Sequence, residues 1–278
     1  MPRVVSLTPA VFHLPEAVNA ASRTYGDHPI VPRGPRARPL FDRVRSGIKT
    51  ALHAPNYEAV MLTGSGSTAM AAVLGSCLSP DERLLVIRNG AYGDRLFEFA
   101  SAMRQPIVDM QLPYGEKPDL AKIEALFAAN SVDAVTMVHG ATSSCTLNPV
   151  AELGALTRKY GKKFLMDGVS SVFVDPIELD AWNVAALMGS CNKGLHAHPN
   201  MTFALVREDL LAEMAQFPQR APSLELYKIW KTQTNASHPY TIDMMSLSQV
   251  GAALDFLEEI GGVPGRHAIY AKRCKILR

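Results

Sequence analysis

The stretch Val184-Ala185-Ala186-Leu187-Met188-Gly189-Ser190-Cys191-Asn192-Lys193-Gly194 decides how this chain folds. Its first five residues form an unbroken apolar run, which belongs to a strand buried on both faces rather than one. Small residues then crowd a single lysine, a setting that suits an amine used in chemistry better than a surface charge. Upstream, Phe164-Leu165-Met166-Asp167-Gly168-Val169-Ser170-Ser171 repeats the design and delivers an aspartate. Further runs of the same kind are Ala59–Leu62, Leu84–Ile87, Ile107–Met110, Ala134–Val138 and Thr202–Val206. Helical periodicity lies between them near residues 67–78, 93–104, 119–129 and 150–160. That order predicts an α/β fold of three layers, α/β/α, around a mostly parallel sheet.

Around this core the ends differ. Residues 1–45 read as an N-terminal arm, in which Pro29, Pro32, Pro35 and Pro39 are interleaved with Arg33, Arg36, Arg38, Arg43 and Arg45. The expectation is an irregular segment leading into a helix, its arginines either solvated or facing a carboxylate or phosphonate. Residues 46–260 form the large domain and end in an amphipathic helix over 246–260. Gly261-Gly262-Val263-Pro264-Gly265 breaks that helix, and a second begins at about Arg266. Residues 261–278 thus read as the start of a small C-terminal domain that is largely absent.

The 278 residues are 47% hydrophobic with a net charge of +2, ordinary for a globular protein and no reason to expect nucleic acid or an anionic membrane as partner. Cys77, Cys145, Cys191 and Cys274 are far apart and form neither a disulfide framework nor a zinc motif, which fits a reducing cytoplasm. No signal peptide and no membrane span is read. In His196-Ala197-His198 no third ligand stands nearby, so no metal is expected.

The strand-end loops carry the chemistry. Thr63-Gly64-Ser65-Gly66-Ser67-Thr68 opens a helix, where free backbone N–H groups and hydroxyls can hold an anion. It lacks the lysine of a nucleoside-triphosphate loop. It also lacks the third glycine and following acidic residue of a dinucleotide fingerprint, with Ala69 and Arg88-Asn89 in those places. A single phosphate monoester fits better. Asn89-Gly90-Ala91-Tyr92-Gly93-Asp94-Arg95 sets an aromatic ring among small residues, and His139-Gly140-Ala141-Thr142-Ser143-Ser144-Cys145 is another hydroxyl-rich loop. Ligands of open parallel sheets bind beyond the carboxyl ends of the strands. An aspartate and a lysine delivered there are what pyridoxal 5'-phosphate requires, one beside its ring nitrogen and one as Schiff-base amine.

Together these loops resemble the class V, fold-type I pyridoxal-phosphate aminotransferases, and within them the 2-aminoethylphosphonate–pyruvate group. The resemblance runs from Leu7-Thr8-Pro9 to Gly265-Arg266-His267, and the Asn192-Lys193 dipeptide favours the phosphonate group over alanine–glyoxylate relatives. It implies that Lys193 and Asp167 are catalytic. It implies too that Ser65, Gly66 and Ser67 hold the phosphate, that Tyr92 stacks on the ring, and that Thr142 approaches the ring hydroxyl. Asn192 would lie beside the phosphate, and Thr241 would reach the phosphate of a partner subunit in a homodimer. The implied reaction moves an amino group from 2-aminoethylphosphonate or an amino acid to pyruvate or a similar keto acid. Alternatives are an alanine–glyoxylate or serine–pyruvate type enzyme, a lyase, or a truncated homologue without catalysis. Two loops depart from the pattern: Ala10-Val11 replaces Gly-Pro after Leu7-Thr8-Pro9, and Ala141 stands where relatives have glutamate.

Overall fold

A computed structural model describes residues 13–235 and 237–277; Leu7-Thr8-Pro9-Ala10-Val11 lies outside the described residues. Two helices come first, α1 (Glu16–Asp27) and α2 (Ala37–Ala51). Then strands and helices alternate: β1 (Tyr57–Thr63), α3 (Gly66–Ser76), β2 (Leu84–Arg88), α4 (Ala91–Ala102), β3 (Ile107–Gln111), α5 (Leu120–Ala128) and β4 (Ala134–Val138). A two-residue ribbon, β5 (Gly140–Ala141) with β6 (Thr146–Leu147), precedes α6 (Val150–Tyr160), β7 (Lys163–Asp167), β8 (Val184–Ser190) and β9 (Met201–Arg207). The remaining helices are α7 (Glu208–Met214), α8 (Leu226–Gln233), α9 (Met244–Glu259) and α10 (Gly262–Leu277).

All seven strands expected from the apolar runs lie in one sheet, in the order β1-β9-β8-β7-β4-β2-β3. The pairs β2–β3, β2–β4, β4–β7 and β7–β8 are parallel. Strand β9 runs antiparallel to both its neighbours, β1 and β8, so β1 points the same way as the parallel set. Alternate residues of each strand enter opposite cores. Ala59, Met61, Leu85 and Ile87 face a layer that includes α1, α2, α5, α6 and α9. Val60, Leu62, Leu84 and Val86 face one that includes α3, α4, α7 and α8. The three-layer α/β/α architecture follows, and every residue of β8 is buried. Side chains cover the open edge at β1: Gln233 of α8 donates to the Met61 carbonyl (2.7 Å) and accepts from the Met61 N–H (3.0 Å), and Arg45 Nε donates to the Ala59 carbonyl (2.8 Å). An edge closed in this way offers no template to another strand.

The ends differ in two respects from the sequence reading. The arm of residues 1–45 is irregular only over 13–15 and 28–36 among the described residues, because α1 and the first turns of α2 fall within it. Helix α1 forms because its amphipathic face has somewhere to go: Val18 is fully buried, and Gln249 of α9 donates to Ser22 Oγ. Helix α10 begins at Gly262, ahead of Arg266. Pro264 is tolerated there because a first-turn N–H has no partner within a helix anyway.

Candidate active site

Strands β1, β2, β4, β7 and β8 deliver their carboxyl-terminal loops to one edge of the sheet. After β1 the chain must turn sharply into α3. Gly64 does so at φ +138°, with Thr68 Oγ1 only 2.3 Å from where a Cβ would stand. Ser65 is the N-cap of α3 and makes no side-chain capping bond. The first N–H groups of α3 therefore face the cavity without a side chain to satisfy them, the usual arrangement for an anion.

A cavity of ≈ 210 Å³ opens at this edge, lined by Ser65, Gly66 and Ser67 of the α3 turn, Tyr92 of α4, Asp167 of β7, and Asn192 and Lys193 beyond β8. Seven of the nine residues singled out in the sequence thus meet in one space. Arg95, Ser170 and Val169 line it too. Asp167 is 2% exposed, and its carboxylate accepts the Val169 N–H at 2.8 Å. Burial pushes its pKa up to about 6, against the pull of that N–H and of the Lys193 and Arg95 charges. Lys193 Nζ donates to Ser170 Oγ at 3.1 Å and sits 5.2 Å from the centre of the Tyr92 ring. The Arg95 guanidinium lies 5.1 Å from the same ring centre and donates to Ser67 Oγ at 3.2 Å. Beside Asp167, the buried His139 ring contacts Ser171 Oγ (2.9 Å), and burial lowers its pKa to about 4, so it is neutral.

The arrangement has two chemically distinct ends. One offers helix N–H groups, hydroxyls and a guanidinium; the other offers an amine and a buried carboxylate; an aromatic ring spans them. A flat heteroaromatic ring carrying a phosphate and an aldehyde matches this donor set.

Thr142 and Thr241 are not brought into the cavity. Thr142 is exposed on the turn between β5 and β6, where its neighbour Ser143 accepts the Ala91 N–H. Thr241 is exposed on the loop before α9, a loop tied to the end of β1 by a bond from the Asp243 N–H to Thr63 Oγ1 (3.2 Å). Arg95 and Ser170 were the residues missed. Arg95 stands three positions after Tyr92 on α4, the spacing that puts two side chains on one helix face, so the signal was present. Ser170 is a common residue in a common turn and carried none.

A larger cavity of ≈ 580 Å³ lies among α1, α2 and α9, lined largely by apolar atoms of Tyr25, Ile30, Leu40 and Ala252. It gathers no converging catalytic groups. Of the expected arginine cluster, Arg36 and Arg43 line this cavity, but each is engaged by the fold, Arg36 with the Pro29 carbonyl and Arg43 with Asp255, and Arg45 pairs with Glu58. Among the described residues no helix is long and apolar enough to cross a membrane, and no three His, Cys, Asp or Glu side chains are placed to hold a metal ion.

The sequence matches the aminotransferase class-V family over residues 20–267. A 2-aminoethylphosphonate–pyruvate transaminase of Salmonella schwarzengrund is 35% identical over 226 residues, which are 80% of this chain and 61% of that protein. One of Salmonella paratyphi B is 34% identical over 244 residues, covering 86% of this chain and 66% of that protein. The chain therefore spans somewhat less than two thirds of the length of these curated relatives. In structure it is similar to pyridoxamine–pyruvate aminotransferase from Mesorhizobium loti (TM-score 0.86, 24% identity, 95% of this chain and 67% of that one). It is also similar to a subgroup IV aspartate aminotransferase from Thermus thermophilus (TM-score 0.84, 25% identity, 94% and 72%). The three-layer fold, the strand-end loops and the family match lead to one conclusion: the chain belongs to the class V aminotransferases, a family of pyridoxal-phosphate enzymes.

Proposed function

We propose that this chain is an aminotransferase that moves the amino group of a small aminophosphonate, 2-aminoethylphosphonate, to pyruvate. The observation that carries the reading is that the Lys193 amine, the Asp167 carboxylate and the N-terminus of α3 all open on one cavity. The substrate pair is supported by the curated relatives at 34–35% identity, whose names state it.

Pyridoxal phosphate, when bound, supplies an electron sink for the carbon next to the substrate nitrogen. The side chains do the rest. Ser65, Gly66 and Ser67 would hold the cofactor's phosphate with backbone N–H groups and hydroxyls, and Asn192 of the same cavity would assist them. Asp167, with its pKa near 6, is mostly a carboxylate at neutral pH and holds a proton on the ring nitrogen. Tyr92 offers its ring as a flat wall. Lys193 would offer its Nζ to the aldehyde of the cofactor and, once free, would take and return the proton at the substrate carbon. Ser170 Oγ, 3.1 Å from Nζ, orients the amine for that transfer.

Thr142 and Thr241 act from the surface in this reading, Thr142 toward the ring hydroxyl and Thr241 toward the cofactor of a second subunit. Their exposure supports the homodimer that the latter requires. The four unpaired cysteines support residence in a reducing cytoplasm. The test is steady-state turnover of 2-aminoethylphosphonate with pyruvate, read as alanine formed. Alanine formation that requires both substrates supports the assignment. Release of ammonia, phosphate or carbon dioxide without a keto acid would replace it with a lyase.

A further inference from the structure

His196, part of the His-Ala-His run that the cofactor cavity leaves unused, sits in the turn carrying Lys193. Its backbone is left-handed at φ +66°, and its N–H donates to the Lys193 carbonyl at 3.1 Å. A histidine held in that conformation needs something to fix it. Two residues of α10 do so. Arg266 Nη1 lies 2.7 Å from His196 Nδ1 and 3.0 Å from Nε2, and Tyr270 Oη lies 2.8 Å from Nε2. A guanidinium only donates, so the imidazole accepts from it, and the nearer ring nitrogen is Nδ1. Burial, with the nearby Arg266 and Arg273 charges, lowers the His196 pKa to about 4 and keeps the ring in this neutral form. Arg266 is 2% exposed and its Nε and Nη2 have no partner, so little but the histidine and the face of Phe256 compensates a buried cation.

The same helix also reaches the turn that follows Asp167. His267, next to Arg266, donates from Nδ1 to the Val174 carbonyl at 3.1 Å and lies 3.5 Å from Asp175. The two turns are themselves stacked tightly. A Cβ on Gly194 would lie 2.1 Å from the Val172 carbonyl oxygen, so only a glycine lets the two turns pack this closely.

We infer that the first turns of α10 are a positioning element for the reacting groups. Arg266 and Tyr270 fix the Lys193 turn through His196, and His267 fixes the Asp167 turn. The role of Lys193 and Asp167 as reacting groups rests on the function proposed above; the clamp itself does not. Through this clamp, a displacement of α10 changes where the Lys193 amine sits relative to the Asp167 carboxylate.

The test is hydrogen–deuterium exchange by mass spectrometry on the cofactor-free protein. The parent is compared with His196→Ala, His196→Gln and Tyr270→Phe, the last removing one hydroxyl and little else. The glutamine can accept from Arg266 and donate to Tyr270 at similar reach. Exchange of the 191–197 segment should rise about tenfold in His196→Ala and severalfold in Tyr270→Phe, with β4 unchanged and His196→Gln close to the parent. Unchanged exchange in both variants, or a rise shared equally by β4, overturns the inference. A second readout is the rate at which the visible absorption band forms after pyridoxal phosphate is added. The rate should fall in His196→Ala and return in His196→Gln; equal rates in all three would also overturn it. A parent protein with no band would sink the cofactor reading, while the exchange data still decide the clamp.

Discussion

In the segment from Arg33 to Arg45 every guanidinium finds a partner within the fold. Arg33 reaches the His238 carbonyl, Arg36 the Pro29 carbonyl, Arg38 Asp42, Arg43 Asp255 and Arg45 Glu58. In the cavity at the strand ends Asp167, Lys193 and Arg95 instead face a common space, and the buried carboxylate has no ion pair. The first region has more charge, each bound by the fold; the second has three charges that open on one cavity. What separates them is convergence. A charge satisfied by its own fold adds stability, whereas a charge held open in a buried cavity costs stability until a ligand arrives.

Several substitutions can break that contrast. Asp167→Asn should have the largest effect, lowering kcat for transamination by about a hundredfold or more while pyridoxal phosphate still binds. A loss below about threefold would remove Asp167 from the chemistry. Arg45→Met should act only on stability. Glu58 keeps Lys49 at 3.0 Å, so losing Arg45 costs about 2 kcal/mol in denaturant unfolding, with cofactor affinity unchanged. A change in cofactor affinity would mean that the two regions are coupled.

The pH dependence of stability sharpens the comparison further. A carboxyl whose pKa rises from 3.8 to about 6 on folding binds protons in the native state that the unfolded chain has already lost. Its contribution to stability is therefore lost as pH climbs through that window. The stability of Asp167→Asn relative to the cofactor-free parent should grow by about 2–3 kcal/mol between about pH 4 and pH 7. A flat difference would mean that the site is solvated. The smallest effect belongs to Arg38→Ala, whose exposed pair with Asp42 should be worth less than about 0.5 kcal/mol.

The sheet was legible because buried strands announce themselves as unbroken apolar runs, and all seven did. The alternation of strands and helices gave the parallel majority, but the reversed direction of β9 was not legible, since parallel and antiparallel central strands share that composition. The length of the 191–200 connection held the clue: with no helix in it, it is too short for a crossover, so β9 returns antiparallel. Helix α1 was hidden because its stability comes from packing on α9, a contact distant in sequence, while the nearby prolines and arginines dominated the reading of the arm. Within the site, residues at strand ends were found and those placed by a tertiary turn were not. Ser170 reaches Lys193 only because β7 and β8 are neighbours. Thr142 and Thr241 lie in suitable loops that the single chain directs toward solvent.

The most direct test of the central claim, that Lys193 and Asp167 form one cofactor site, is a spectroscopic titration of the purified protein with pyridoxal phosphate beside Lys193→Ala. The account predicts a saturable visible band in the parent that survives gel filtration and is absent in Lys193→Ala. A band of equal strength in the variant, or none in the parent, would contradict it.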